Sequence, residues 1–209
     1  MNRSILLVAT GIVAAVIAGG GAYLVLGGGE NRFAQCDGGH VAGDGTAIGG
    51  PFELVAETGE TVTDSEVIDG LTLIYFGYTF CPDVCPFDVA RNAEAVEILD
   101  ERGVTVRPVM VSVDPTRDTP EVMADFTEAM HPRMLGLTGS DAQVDAAKLA
   151  YRAYGAVSAG QSVDDEDYLV DHSTLSYLMH PQHGFLGFFR NDLGSDDMAD
   201  RIACFAELV

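Results

Sequence analysis

Two cysteines separated by three residues, in Cys81-Pro-Asp-Val-Cys85, and a distant histidine, His172 in Val170-Asp-His-Ser-Thr, are the side chains whose types and spacing could do chemistry. Residues four positions apart share one face of a helical turn, which brings two sulfurs within reach of one ion. The pair lies where an apolar run over 71–78 hands over to a helical pattern. Thiols at such a helix start meet unpaired backbone N–H groups and the positive end of the helix dipole, so lowered thiol pKa values are expected. Soft sulfur donors select Cu(I), Zn or iron–sulfur chemistry, and two nearby cysteines undersupply a cluster. His172 is the best candidate for a third donor because it immediately precedes a core strand expected over 174–179. Two thiolates and one imidazole form an incomplete shell. It can hold Cu(I), accommodate Cu(II), and leave a position through which another protein could exchange the metal. Asp171 is a candidate acceptor for the imidazole, set against the ordinary role of a solvated acid.

The elements that must position these residues can be read from periodicity. Short strand-like runs at 51–55 and 60–63, joined through Thr58-Gly59, give a hairpin. The run 71–78 is continuous enough to be a strand buried on both faces. Apolar positions between Cys85 and Gly103 interleave with charges, as in a helix that ends at glycine. A strand follows over 104–113. Thr119-Pro120-Glu121 supplies an N-cap, a proline at the first helical position and a first-turn acid, opening a helix to about Met130. A short strand at 135–138, a helix from Ser140 to Tyr154, an exposed acidic loop at 158–167, a strand–turn–strand pattern at 174–189 and a closing helix at 196–208 complete the chain. Strand–helix alternation of this kind argues for α/β layers with parallel pairing. The order fits a thioredoxin-like fold with an added N-terminal β-hairpin.

Of 209 residues, 11 are Lys or Arg and 32 are Asp or Glu, a net charge of −21. Nucleic acid is excluded as a partner, because phosphate binding needs clustered cations. Ser4 to Gly29 carries no charge and is long enough to cross a hydrocarbon core of about 30 Å as a single transmembrane helix. Residues 1–29 therefore read as a membrane anchor, 30–49 as a Gly-rich tether and 50–209 as the folded domain. A cleaved signal peptide is the competing reading, although its apolar core is usually shorter. Arg3 before the span and the acidic chain after it place the N-terminus in the cytoplasm and the domain in the periplasm, on an inner membrane. Cysteines in that compartment can form lasting disulfides. Cys36 and Cys204, near the two ends of the domain, are expected to pair and tie the tether to the closing helix, with two small buried thiols as the alternative.

Other residues invite weaker readings. His180 and His183, spaced His-x-x-His around Pro181, are surface turn histidines rather than a metal site. His40 and His131 are structural or solvated. Met110, Met123, Met130, Met134 and Met179 are packing residues. Asp114 and Asp118 suit turn formation and capping and are not counted as ligands. The Cys81–Cys85 pair itself remains open to two further readings. One is a structural disulfide. The other is the dithiol of a thiol-disulfide oxidoreductase of thioredoxin type without an obligatory metal, whose motif has two intervening residues rather than three.

Three ordered segments, Tyr75-Phe-Gly-Tyr-Thr-Phe-Cys81-Pro-Asp-Val-Cys85-Pro, Val113-Asp-Pro-Thr-Arg-Asp-Thr-Pro120 and Val170-Asp-His172-Ser-Thr-Leu-Ser-Tyr-Leu, together resemble the Sco/SenC copper proteins. The resemblance covers about residues 50–208. It implies a membrane-tethered thioredoxin-like metallochaperone that binds copper, as Cu(I) and Cu(II), through Cys81, Cys85 and His172. It also implies a role in building the binuclear copper site of cytochrome c oxidase, whose copper-site subunit would be the partner, with other periplasmic copper chaperones as further candidates. Cys36 and Cys204 depart from the family's minimal pattern and receive no family role.

Overall fold

The computed structural model describes residues 32–36, 48–165 and 167–209. The anchor over 1–29, most of the tether and His40 lie outside the described residues. Among the described residues no helix is long and apolar enough to cross a membrane. The chain forms two compact units, Met1–Ala34 and Gln35–Val209; of the first, only the opening of the 3-10 helix Arg32–Cys36 is described.

In the second unit a seven-stranded sheet runs in the order β2-β1-β5-β4-β3-β8-β9. Its strands are β1 (Glu53–Ala56), β2 (Thr61–Thr63), β3 (Thr72–Gly77), β4 (Arg107–Ser112), β5 (Leu135–Thr138), β8 (Ser176–His180) and β9 (Gly184–Phe189). The helices are the short α1 (Asp64–Val67), then α2 (Val84–Glu101), α3 (Pro120–Met130), α4 (Asp141–Tyr151) and α5 (Ser195–Ala206). The expected parallel pairing holds only in the centre, where β3, β4 and β5 are joined by crossover helices. The flanking strands β1 and β8 pair antiparallel, so the sheet is mixed. All six residues of β3 are buried, as a strand covered on both faces requires.

Local signals set several boundaries. The Thr119 side chain accepts from the Val122 N–H, and Ser140 with Gln143 forms a capping box at the start of α4, so each helix begins where its cap residue stands. Gly103 adopts φ +77° beyond the end of α2, a backbone that a side chain would strain. Helix α4 stops three residues short of the expected Tyr154, because Arg152 turns left-handed at φ 54° and directs the chain into a strand that no periodicity announces. That strand, β6 (Gly155–Val157), pairs antiparallel with β7 (Val170–His172) in a separate two-stranded ribbon. His172 therefore stands in the ribbon, opposite Gly155, and the core strand β8 begins only at Ser176.

Cys36 and Cys204 form a disulfide that closes a span of 168 residues, so the pairing reading holds and the free-thiol alternative does not. Cys204 lies on α5, which packs on α2 through a face that includes buried Met198, Ala199, Ile202 and Phe205. Cys204→Ser, which keeps the apolar residues of that face, should lower the unfolding free energy by about 2 kcal/mol, the lower end for a lost native disulfide. Urea unfolding midpoints of the variant and parent, both with Cys81 and Cys85 reduced, would measure it; equal midpoints would show that the bridge adds nothing.

Candidate metal centre

The chain leaves β3 at Gly77, passes through a loop holding Cys81, and enters α2 so that Cys85 is its second residue. Glycine is required at position 77. An added Cβ would meet the Tyr75 ring at 2.6 Å and the Cys85 sulfur at 3.0 Å. Both cysteines are buried and free, and the Cys85 N–H points at the Cys81 sulfur, 3.4 Å away. The β6–β7 ribbon brings His172 to them across 87 residues of sequence, with Nε2 3.1 Å from the Cys85 sulfur. The donor atoms of Cys81, Cys85 and His172 all lie within 4.8 Å of one another, the one such cluster of three or more His, Cys, Asp or Glu donors among the described residues.

The orientation of the imidazole follows from its other nitrogen. Nδ1 lies 3.1 Å from the Phe76 carbonyl and 2.9 Å from the Ser173 carbonyl. Neither oxygen can donate, so Nδ1 carries the proton and the Nε2 lone pair faces the sulfurs, the tautomer a metal ligand needs. The candidate acceptor Asp171 does not serve: it is exposed and accepts from the Ser158 hydroxyl at 2.8 Å. Alternation along β7 turns its side chain away from the face that presents His172.

The expected lowering of the thiol pKa fails for Cys85. Burial pushes this thiol up, and the opposing hydrogen bond from the Tyr78 backbone N–H does not compensate. Desolvation outweighs the helix terminus because Cys85 is fully enclosed. In the metal-free protein Cys85 is thus held as a thiol, and a metal that binds it as thiolate must displace a proton.

Polar groups outside the expected ligand set hold this arrangement. The buried carboxylate of Asp118 accepts from the Thr79 N–H at 3.2 Å, the Thr79 hydroxyl at 2.6 Å and the Ser112 hydroxyl at 2.6 Å. It thereby fixes the loop two residues before Cys81. Burial raises its pKa, with the Ser112 hydrogen bond acting against that. Asp114 accepts from the Tyr168 hydroxyl and from Arg117 Nε, and the Arg117 guanidinium stacks 3.6 Å from the centroid of the Tyr168 ring. Both acids exceed the turn and capping roles that their sequence context suggests, yet neither belongs to the donor cluster. Beneath the site, Asp88 accepts from the Tyr75 hydroxyl at 3.0 Å and pairs with Arg91 at 3.4 Å; burial raises its pKa as well. The available signal was spacing: Asp88 follows Cys85 by three residues and precedes Asn92 by four, so it shares their buried α2 face.

The remaining candidates lie elsewhere. The His180 and His183 rings stack at 5.0 Å on the β8–β9 turn, with His180 Nδ1 accepting from the Gln182 N–H. His131 is buried and its Nδ1 accepts from the Arg133 N–H, a structural role. Met110, Met123, Met134 and Met179 are buried in the core, and Met130 packs against it.

Comparison with known proteins matches residues 41–207 to the family model described as SCO1/SenC. The chain is similar to Protein SenC of Rhodobacter capsulatus, 47% identical over 207 residues that cover 99% of this chain and 91% of that protein. Its fold resembles the crystal structure of Arabidopsis thaliana ScoI with copper bound, with TM-score 0.73 and 37% identity, covering 78% of this chain and 100% of that one. It also resembles BsSco, described with a disulfide switch and as a member of the Sco family of cytochrome c oxidase assembly proteins. The TM-score there is 0.58, covering 76% of this chain and 94% of that one, and at 21% identity the likeness shows the fold alone.

Proposed function

Because the chain belongs to the SCO1/SenC family, we propose that it is a copper-binding protein that delivers copper to, or prepares the thiols of, the binuclear copper site of cytochrome c oxidase. The observation that carries this reading is the preassembled cluster of Cys81, Cys85 and His172, with the imidazole lone pair turned toward two buried thiols. Two sulfurs suit Cu(I) and the added imidazole suits Cu(II), so the donor set fits copper in both states. A three-donor shell also leaves room for a fourth donor from a recipient protein. The partners in this reading are the copper-site subunit of the oxidase and periplasmic copper chaperones.

Anaerobic titration of the reduced full-length protein with Cu(I), and separately with Cu(II), tests the reading. One copper per chain in each case is the expected result. No bound copper would overturn it in favour of the second reading, a metal-independent thiol-disulfide oxidoreductase. That reading draws on the same two adjacent free thiols, and disulfide exchange with a peptide substrate would then be the activity to find.

The uncharged span from Ser4 to Gly29 supports tethering to an inner membrane with the domain in the periplasm. Fractionation checks this directly. Recovery in the membrane with Met1 or Asn2 at the N-terminus is expected, whereas soluble protein beginning after residue 20 would show a cleaved signal instead.

A further inference from the structure

Tyr78 touches both the loop that holds Cys81 and the strand that carries His172. Its carbonyl accepts from the Cys81 N–H at 3.4 Å. Its hydroxyl accepts from the Val170 N–H at 3.3 Å. Its ring stands edge-on to the His172 imidazole, 5.7 Å away at 88°. The side chain is only 2% exposed, so these contacts are made in a fixed place.

Val170 opens β7, the three-residue strand that carries His172, and the ribbon of β6 and β7 stands apart from the main sheet. An isolated pair of such short strands is barely stable in water, so the position of the imidazole depends on what fastens the ribbon. Lys148 Nζ bonds the Gly155 carbonyl on β6, and Tyr168 is tied to Asp114 ahead of β7. The imidazole itself is held to β3 by the Phe76 carbonyl, and the Arg117 guanidinium stacked on Tyr168 also lies 5.0 Å from the Phe80 ring; the backbone of β7 meets the cysteine loop through the Val170 N–H and Tyr78.

We propose that Tyr78 is a positioning residue of the metal centre, its hydroxyl fastening the His172 strand to the cysteine loop so that all three donors are assembled before a metal arrives. The inference rests on the copper-binding reading above. Loss of the hydroxyl leaves a buried Val170 N–H without its acceptor and lets the ribbon open. Cu(II), which draws on the imidazole, is affected more than Cu(I), which two sulfurs can hold.

Tyr78→Phe removes the hydroxyl and keeps the ring. In the reduced, metal-free full-length protein, amide exchange at Val170 should quicken by about tenfold, while amides within α2 keep their parental protection. Cu(II) affinity should fall by about tenfold, as for other residues that orient a ligand, with an altered absorption spectrum. Cu(I) affinity should stay within about twofold. Tyr151→Phe, which removes a buried hydroxyl without a hydrogen-bond partner among the described residues, should leave all these values at the parental level. If Tyr78→Phe matches the parent in Val170 exchange and in Cu(II) affinity and spectrum, Tyr78 does not position the site. A parent protein that binds no copper overturns the copper reading instead, and Val170 exchange then decides the Tyr78 tie by itself.

Discussion

His172→Ala is expected to weaken Cu(II) binding by about a hundredfold or more, the largest selective effect on the site. The imidazole is the borderline donor of the cluster, and its Nε2 lies 3.1 Å from the Cys85 sulfur. Its loss leaves two sulfurs, which hold Cu(I) in two-coordinate form and still exchange with other disulfides. Cu(I) binding and formation of a Cys81–Cys85 disulfide should therefore survive. Competition titrations for each oxidation state, with thiol counting after mild oxidation, separate these properties. Replacing either cysteine by serine should abolish both. Cu(II) binding by His172→Ala with the parental affinity and spectrum would remove His172 from the ligand set. A variant that loses Cu(II) yet supports normal oxidase assembly in cells would show that delivery does not need the imidazole.

Asp118→Ala should lower the unfolding free energy by about 3 kcal/mol and weaken copper binding in both oxidation states. Three donors lose their acceptor at once: the Thr79 N–H, the Thr79 hydroxyl and the Ser112 hydroxyl. Each buried donor left unpaired costs about 1–3 kcal/mol. Rotation of the two hydroxyls toward other acceptors, and relief of the desolvation that raises the Asp118 pKa, keep the total at the lower end of the roughly 3–9 kcal/mol that three such donors would cost together. Thr79 is two residues from Cys81, so the loosened loop affects the sulfurs first. Cu(I) affinity should then fall, which distinguishes this variant from His172→Ala. Asp118→Asn, which keeps the volume and one acceptor oxygen, should lose less than half as much stability. Urea unfolding and Cu(I) competition measure both effects, and a parental Cu(I) affinity in a destabilised Asp118→Ala would confine Asp118 to folding.

The donor identities were legible because their chemistry is local: Cys81 and Cys85 share one motif, and the chain has only two other cysteines, Cys36 and Cys204. The starts of α3 and α4 were legible for the same reason. Thr119 and Ser140 act on N–H groups within three residues of themselves, so the cap and the helix are written side by side. The turn at Gly103 is equally local.

What joins the site is not local. The ribbon of β6 and β7 consists of two three-residue strands separated by an acidic loop, too short to show a period. It exists because the chain leaving α4 meets the chain arriving at β8. Only that meeting places His172 against sulfurs 87 residues earlier and gives its Nδ1 the Phe76 carbonyl rather than Asp171. The Asp118 and Tyr78 contacts span 39 and 92 residues and carry no sequence signature. The direction of the Cys85 pKa shift was decided in the same way. Sequence places the thiol at a helix start, which lowers a pKa, but tertiary packing encloses it completely. Desolvation in that enclosure exceeds the attraction of the helix terminus. Sequence thus chose the ligands and their order, and packing chose their protonation and mutual distance, because solvent exclusion and long-range pairing arise only when the layers close.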